Sequence, residues 1–319
     1  MAPLLGLPGL KLVGTSIKIA QQNFGKHFEV LKALHSRFKP DIIFPLMDLT
    51  VEANAVGRTT VFPKHDSATV LKDHFEIAEL NMQKSVNINF DVRLLGYIET
   101  MKLMSIGFPD DVLRGAYVTG PFTMAGQLMG AEEAAMAALN EPDKLDVLCQ
   151  FTTEKTEEYA RQLIAAGAQI ICILEPSAVM LGPDQFEQFS ARYVRHISDG
   201  CRFSDAATVY HICGNSNHLI DKMIETGVDA LSLDSRETGI DLPAIAERVQ
   251  GKAGLVGNIS PTETILKSGP DAVEKEVKAL LEAMAPYENF VLSTGCDLPR
   301  GTPAQNIEAF MRAGRTAVQ

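Results

Sequence analysis

A chain of 319 residues, 46% hydrophobic and 22% charged, has the make-up of an ordinary globular protein, long enough for one large α/β barrel or two average domains. Its formal net charge of −11 argues against a nucleic-acid-binding face, because phosphate contacts need clustered Lys and Arg. No apolar run approaches the roughly 20 residues of a membrane span. The opening stretch "MAPLLGLPGLKLVG" lacks a basic start and is broken by Pro and Gly, and the five cysteines are odd in number; both features point to a cytoplasmic protein with free thiols.

Eight short, β-rich runs follow one another along the chain: residues 10–14 (LKLVG), 41–47 (DIIFPLM), 115–120 (GAYVTG), 170–174 (IICIL), 208–213 (TVYHIC), 230–233 (ALSL), 253–257 (AGLVG) and 290–294 (FVLST). Most are continuously apolar, as parallel strands covered on both faces require. Amphipathic stretches separate them. One spaces Tyr159, Leu163 and Ala166 along a face, and another spaces Val273, Val277, Leu280, Leu281 and Met284 likewise. Gly167 and Gly227 precede strands as helix C-terminal caps would. The connection from residue 48 to 114 is too long for one helix. It predicts an excursion after the second strand, with "RTTVFPKHD" as a hairpin and a helix around residues 91–107. Eight βα units point to a (β/α)8 TIM barrel forming a single domain over residues 1–319. A doubly wound open sheet is the alternative, but no G-x-G-x-x-G follows the first strand.

Barrel enzymes collect their chemistry at the C-terminal ends of the strands, and the polar residues fall there. The second strand ends at Asp48, the third in Gly120-Pro121-Phe122, and the fourth at Glu175. The fifth ends in His211-Ile212-Cys213-Gly214-Asn215, the sixth at Asp234 with Glu237 one turn further, the seventh at Asn258 and the eighth at Cys296. His211 and Cys213 stand at i and i+2, which on a strand point to one side. In a closed barrel Cys296 can join them although it is far away in sequence. One imidazole and two thiolates form a catalytic zinc set with an open fourth position, and soft thiolates favour zinc over magnesium or calcium. The bland alternative is a satisfied core histidine beside small buried thiols, which is how Cys149, Cys172 and Cys201 read. Glu175 could be a zinc ligand, a substrate acceptor or an anion at a helix N-terminus. Asp234 could serve the site or cap the following helix, and Asp48 is similar. The Gly120–Phe122 turn could hold an anion on its amides or only permit tight chain reversal. His27, His35, His65, His74, His196 and His218 read as surface or helix residues without a role.

The stretches "GPFTMAG" at 120–126, "LEPSA" at 174–178, "HICGNSN" at 211–217, "LVGNISP" at 255–261 and "STGCDLPRGTPAQNI" at 293–307 resemble the uroporphyrinogen decarboxylase superfamily. They are most similar to its methylcobamide:coenzyme M methyltransferase branch, through the H-x-C … C motif. The resemblance implies a (β/α)8 barrel with zinc held by His211, Cys213 and Cys296. It also implies a carboxylate in the fourth position before substrate arrives, for which Asp234 is the first choice ahead of Glu237 and Glu175. The activity implied is transfer of a methyl group from a methyl-corrinoid, carried by a separate corrinoid protein, to a small thiol such as coenzyme M. Gly120, Pro121, Phe122 and Asn258 are then candidates for its sulfonate, with Asn215 and Asp48 as further substrate-facing residues. The reverse task, loading a corrinoid from a methylated substrate, and a metal-free decarboxylase-like lyase are the alternatives. Two departures stand out. Relatives begin with an extra helical segment before the first strand, and the decarboxylases carry an Arg-rich substrate loop, whereas residues 14–26 hold only Lys18 and Lys26 as basic residues.

Overall fold

The computed structural model describes residues 1–63, 66–71, 87–249 and 251–316. Seven strands form one sheet in the order β1 (Ile42–Ile43), β4 (Leu113–Thr119), β5 (Ile170–Leu174), β6 (Ala207–Ile212), β7 (Ala230–Leu233), β8 (Gly254–Ile259) and β9 (Phe290–Thr294). Every pairing in it is parallel. β2 (Thr60–Val61) and β3 (Thr69–Val70) make the separate antiparallel hairpin of the excursion, and the helix that follows spans Val92–Gly107. Pairing within the hairpin reaches beyond the 58–66 stretch expected from sequence, with a longer connection between its arms. The sequence-expected strands from 41 onward are all found, although regular pairing of the first of them stops after Ile43.

The expected strand at 10–14 is a correction: residues Gly9–Leu12 are a short α-helix. The gap between β9 and β1 is filled instead by the segment that precedes this helix. The Ala2 amide donates to the Leu292 carbonyl (2.9 Å) and the Asp41 amide to the Met1 carbonyl (3.0 Å). The Leu4 amide donates to Thr294 Oγ1 (3.1 Å), and the Leu298 amide to the Leu4 carbonyl (2.9 Å). Residues 1–4 thus act as the eighth stave of the barrel. Pro3 has no amide proton to give, which a stave position tolerates where the chain is held by its neighbours on either side.

Helices cover the outer face of the sheet. Tyr159 and Leu163 are buried on the helix Pro142–Ala165, and Val273, Val277 and Met284 on the helix Pro270–Met284, with Leu280 and Leu281 partly covered. Burying each such side chain contributes about 1.5–3 kcal/mol. The barrel interior is a smaller cluster of Leu4, Tyr117, Cys172 and Leu174, with Phe44, Met47 and Val209 against it. The Phe44 and Tyr117 rings stack there at 4.8 Å. No described helix is long and apolar enough to cross a membrane.

Candidate metal centre

His211 lies near the end of β6, almost wholly buried at 1% exposure. Cys213 follows the strand by one residue, and its half-buried thiol shares the side of the imidazole, as the two-residue strand period dictates. His211 Nε2 is 3.1 Å from Cys213 Sγ, and Cys213 Sγ is 3.5 Å from Cys296 Sγ, contributed from beyond β9. The three donor atoms lie within 4.8 Å of one another, the one such group found among the described residues. A tetrahedral zinc with bonds of about 2.0–2.3 Å spaces its N and S ligands about 3.5–3.8 Å apart. The donor separations therefore suit the ion, as does the chemistry of one imidazole and two thiols. No carboxylate oxygen belongs to the group.

The protonation of the cluster follows from its surroundings. Burial lowers the His211 pKa, but the hydrogen bond and charge of Cys296, with Asp234 nearby, more than offset this and raise it overall. The hydrogen bond with Cys213 and then burial push the Cys296 thiol well above its ordinary range. Without a cation the thiol of Cys296 therefore holds its proton at neutral pH, and a metal must displace that proton to bind. Cys149, Cys172 and Cys201 are buried thiols outside the three-donor group, as expected.

The remaining sequence candidates have defined places. Asp234 sits directly after β7, 9% exposed; its Oδ2 accepts from the Gly214 amide (2.7 Å) and its Oδ1 from the Ser235 amide (2.6 Å). Both oxygens are thus held by backbone. Glu237 is exposed, in a short 3-10 turn spanning Arg236–Thr238. Glu175 is fully buried after β5. Its Oε1 accepts from the Thr123 amide (2.5 Å) and its Oε2 from Ser190 Oγ (2.9 Å), which is also 2.6 Å from Tyr210 Oη. Burial raises the Glu175 pKa to about 7, against those hydrogen bonds, which lower it.

This bears on the Gly120–Phe122 turn. A side chain at Gly120 would run into the Glu175 carboxylate, the Gly120 amide donates to the Leu174 carbonyl (2.7 Å), and Pro121 has no amide proton. The acceptor at the N-terminus of the helix Pro121–Met129 is the protein's own Glu175 carboxyl. Asp48 is likewise engaged: it accepts from the Thr50 amide and hydroxyl and pairs with Arg93 Nη2 at 2.5 Å. Asn258 donates to the carbonyls of Asp234 (3.0 Å) and Ile240 (3.4 Å), and exposed Asn215 holds Asn217 in a local turn. The structure does not bring Gly120, Pro121, Phe122, Asp48 or Asn215 into the three-donor group.

Three buried or site-facing residues escaped the sequence reading. Ser232 Oγ lies 3.0 Å from His211 Nδ1. Asp297, next to Cys296, has a pKa raised by burial to about 7. Glu52 is buried, its carboxylate accepting from the Thr119 amide (2.6 Å) and hydroxyl (2.9 Å), and burial raises its pKa to about 7. The adjacency of Asp297 to a candidate ligand was the one signal available in sequence. His27, expected from sequence as a surface or helix residue, is on a helix but fully buried, accepting at Nε2 from the Leu46 amide (2.8 Å). His65 and His74 lie outside the described residues.

Comparison with known proteins adds a second line. The family model for uroporphyrinogen decarboxylase (URO-D) matches residues 11–317. The methylcobamide:CoM methyltransferase MtbA of Methanosarcina mazei is 27% identical over 272 residues, 84% of this chain and 77% of that protein. MtaA of Methanosarcina barkeri, with the same description, is 30% identical over 224 residues, 69% of this chain and 63% of that protein. A uroporphyrinogen decarboxylase of a Synechococcus strain is 24% identical over 311 residues, 95% of this chain and 86% of that protein. A solved methyltransferase structure from Methanosarcina mazei superposes with a TM-score of 0.87 at 24% identity, covering 99% of this chain and 94% of that one. That likeness establishes the shared barrel fold.

Proposed function

Because the chain belongs to the uroporphyrinogen decarboxylase family and is an enzyme of it, we propose that it is a zinc-dependent methyltransferase. In this reading it moves a methyl group from a methyl-corrinoid, presented by a separate corrinoid protein, to a small thiol such as coenzyme M. It works as one barrel domain over residues 1–319, in the cytoplasm. The observation that carries the reading is the convergence of His211, Cys213 and Cys296 from two distant strand ends. The names of its methyltransferase relatives support the same chemistry.

His211, Cys213 and Cys296 would hold the ion. When bound, zinc would keep a substrate thiol deprotonated and nucleophilic at neutral pH. The protein's own residues prepare that site. Ser232 Oγ faces His211 Nδ1 at 3.0 Å; with the hydroxyl accepting from Nδ1–H, the Nε2 lone pair would be left for the ion. Two thiolates bring enough negative charge to offset a divalent cation. The site stands at the barrel mouth, with the apolar Tyr117, Cys172 and Leu174 cluster beneath. The methyl-corrinoid is too large for the barrel interior and must approach from the mouth.

The test is the metal content of protein purified without added zinc, together with the decay of the methylcobalamin spectrum in the presence of coenzyme M and other thiols. About one zinc per chain, lost in Cys296→Ser, and thiol-dependent demethylation are the expected results. Zinc well below one per chain, with His211→Ala no different, would overturn the reading. A decarboxylase reading has the whole-length similarity to uroporphyrinogen decarboxylases behind it, but it leaves the converging thiols without a task. Turnover of a carboxylated porphyrinogen by metal-free protein would establish it instead.

A further inference from the structure

The C-terminal end of β7 gives no donor atom to the His211–Cys213–Cys296 group, yet it bears on each of the three positions. The sheet register sets Ser232 directly opposite His211, and its hydroxyl meets Nδ1 at 3.0 Å. Two residues on, Asp234 Oδ2 accepts at 2.7 Å from the amide of Gly214, the residue after Cys213. Its other oxygen accepts from Ser235. The third contact is with Gly295, the residue before Cys296. A Cβ there would meet the Ser235 amide nitrogen, and would lie 3.0 Å from both the Asp234 carbonyl carbon and Ser235 Cα. Only a glycine lets the loop after β9 lie so close to the loop after β7. Asn258 fastens this loop from the far side through the Asp234 and Ile240 carbonyls.

We propose that Ser232, Asp234 and Ser235 form a brace that sets the three donors at metal-binding separation before an ion arrives, with Asp234 as a positioning residue. The inference rests on the metal reading above and assigns Asp234 a task different from the fourth-ligand role first expected of it. An aspartate after a strand often does no more than cap a local turn. Here one of the amides it holds belongs to a different loop, the one that carries Cys213. Swinging the carboxylate to an ion would leave the partly buried Gly214 amide and the buried Ser235 amide without their acceptor, which such donors resist. Outer partners of metal ligands of this kind set affinity about 10–100-fold.

The experiment is zinc affinity by competition with a chromophoric chelator, and Co(II) binding followed by its thiolate charge-transfer and d–d bands. It compares wild type, Ser232→Ala, Asp234→Ala, Asp234→Asn and Gly295→Ala, with thermal unfolding of each metal-free protein as the check on folding. The expected result is zinc binding weakened about 10–100-fold in Ser232→Ala and Asp234→Ala, with Co(II) bands of unchanged position. Asp234→Asn should recover most of the affinity, because its amide oxygen still accepts from Gly214. Gly295→Ala should weaken binding by forcing the Cys296 loop outward. Wild-type affinity in both alanine variants at β7 would overturn the brace while leaving the metal reading intact. Altered d–d bands in both Asp234 variants, without recovery in Asp234→Asn, would make Asp234 a ligand and overturn it too. If wild type binds neither ion, both readings fall together.

Discussion

Glu175 shows what a buried carboxyl does when its partners are amides and hydroxyls instead of a cation. Burial raises its pKa from 4.5 to about 7, and Glu52 is raised to the same value for the same first reason. Between those limits the unfolded chain has released protons that the folded protein keeps, so stability is fullest below about pH 4.5 and declines as pH rises to about 7. Above that it levels off with respect to these groups. Glu175→Gln retains an acceptor for the Thr123 amide but cannot ionise. Its melting temperature should fall less than that of wild type between about pH 5 and about pH 8, with a relative gain on the order of 1–3 kcal/mol at the upper end. Thermal melts across that range decide the matter; parallel curves for the two proteins would show that Glu175 stays ionised throughout. At this scale the site was half legible. His211 and Cys213 could be paired because a strand repeats every two residues, and Cys296 because closed barrels bring strand ends together. Ser232 could not be found, because its place opposite His211 depends on the β6–β7 register. Nor could the amides that occupy Asp234, Glu175 and Asp48, since backbone partners leave no mark in side-chain sequence.

Among the elements, strands such as β5 and β7 were readable because each is a short apolar run ended by an acidic residue. The stave that completes the barrel was not. "MAPLL" contains a proline, no β-branched residue and no alternation, so neither propensity nor period marks it. The run "LKLVG" looks more strand-like but lies where Leu10 packs into the core from a helix. The packing yields a contrast. Leu4 is 4% exposed inside the barrel beside Tyr117 and Leu174, so Leu4→Ala should cost about 2–5 kcal/mol in urea unfolding. Val13, half-buried in the stretch that resembled a strand, should cost about 1 kcal/mol or less as alanine. Equal losses for the two would mean that residues 1–4 do not close the sheet.

For the molecule as a whole, the barrel is packed by its own side chains. Zinc should act as a ligand of the folded state, stabilising by mass action: about 2.7 kcal/mol at a free concentration 100 times the dissociation constant. A chelator should lower the melting temperature by a few degrees while leaving the far-ultraviolet circular dichroism at room temperature unchanged. Loss of helical signal on chelation would show instead that the ion organises the fold. The stave has one further consequence. The Leu4 amide reaches Thr294 across 290 positions of sequence, and Cys296 stands two residues beyond that contact. On a ribosome, His211 and Cys213 emerge well before the segment that must join residues 2–4. A growing chain therefore holds an incomplete donor set until it can shut its barrel, and uptake of the ion would report that the barrel has closed.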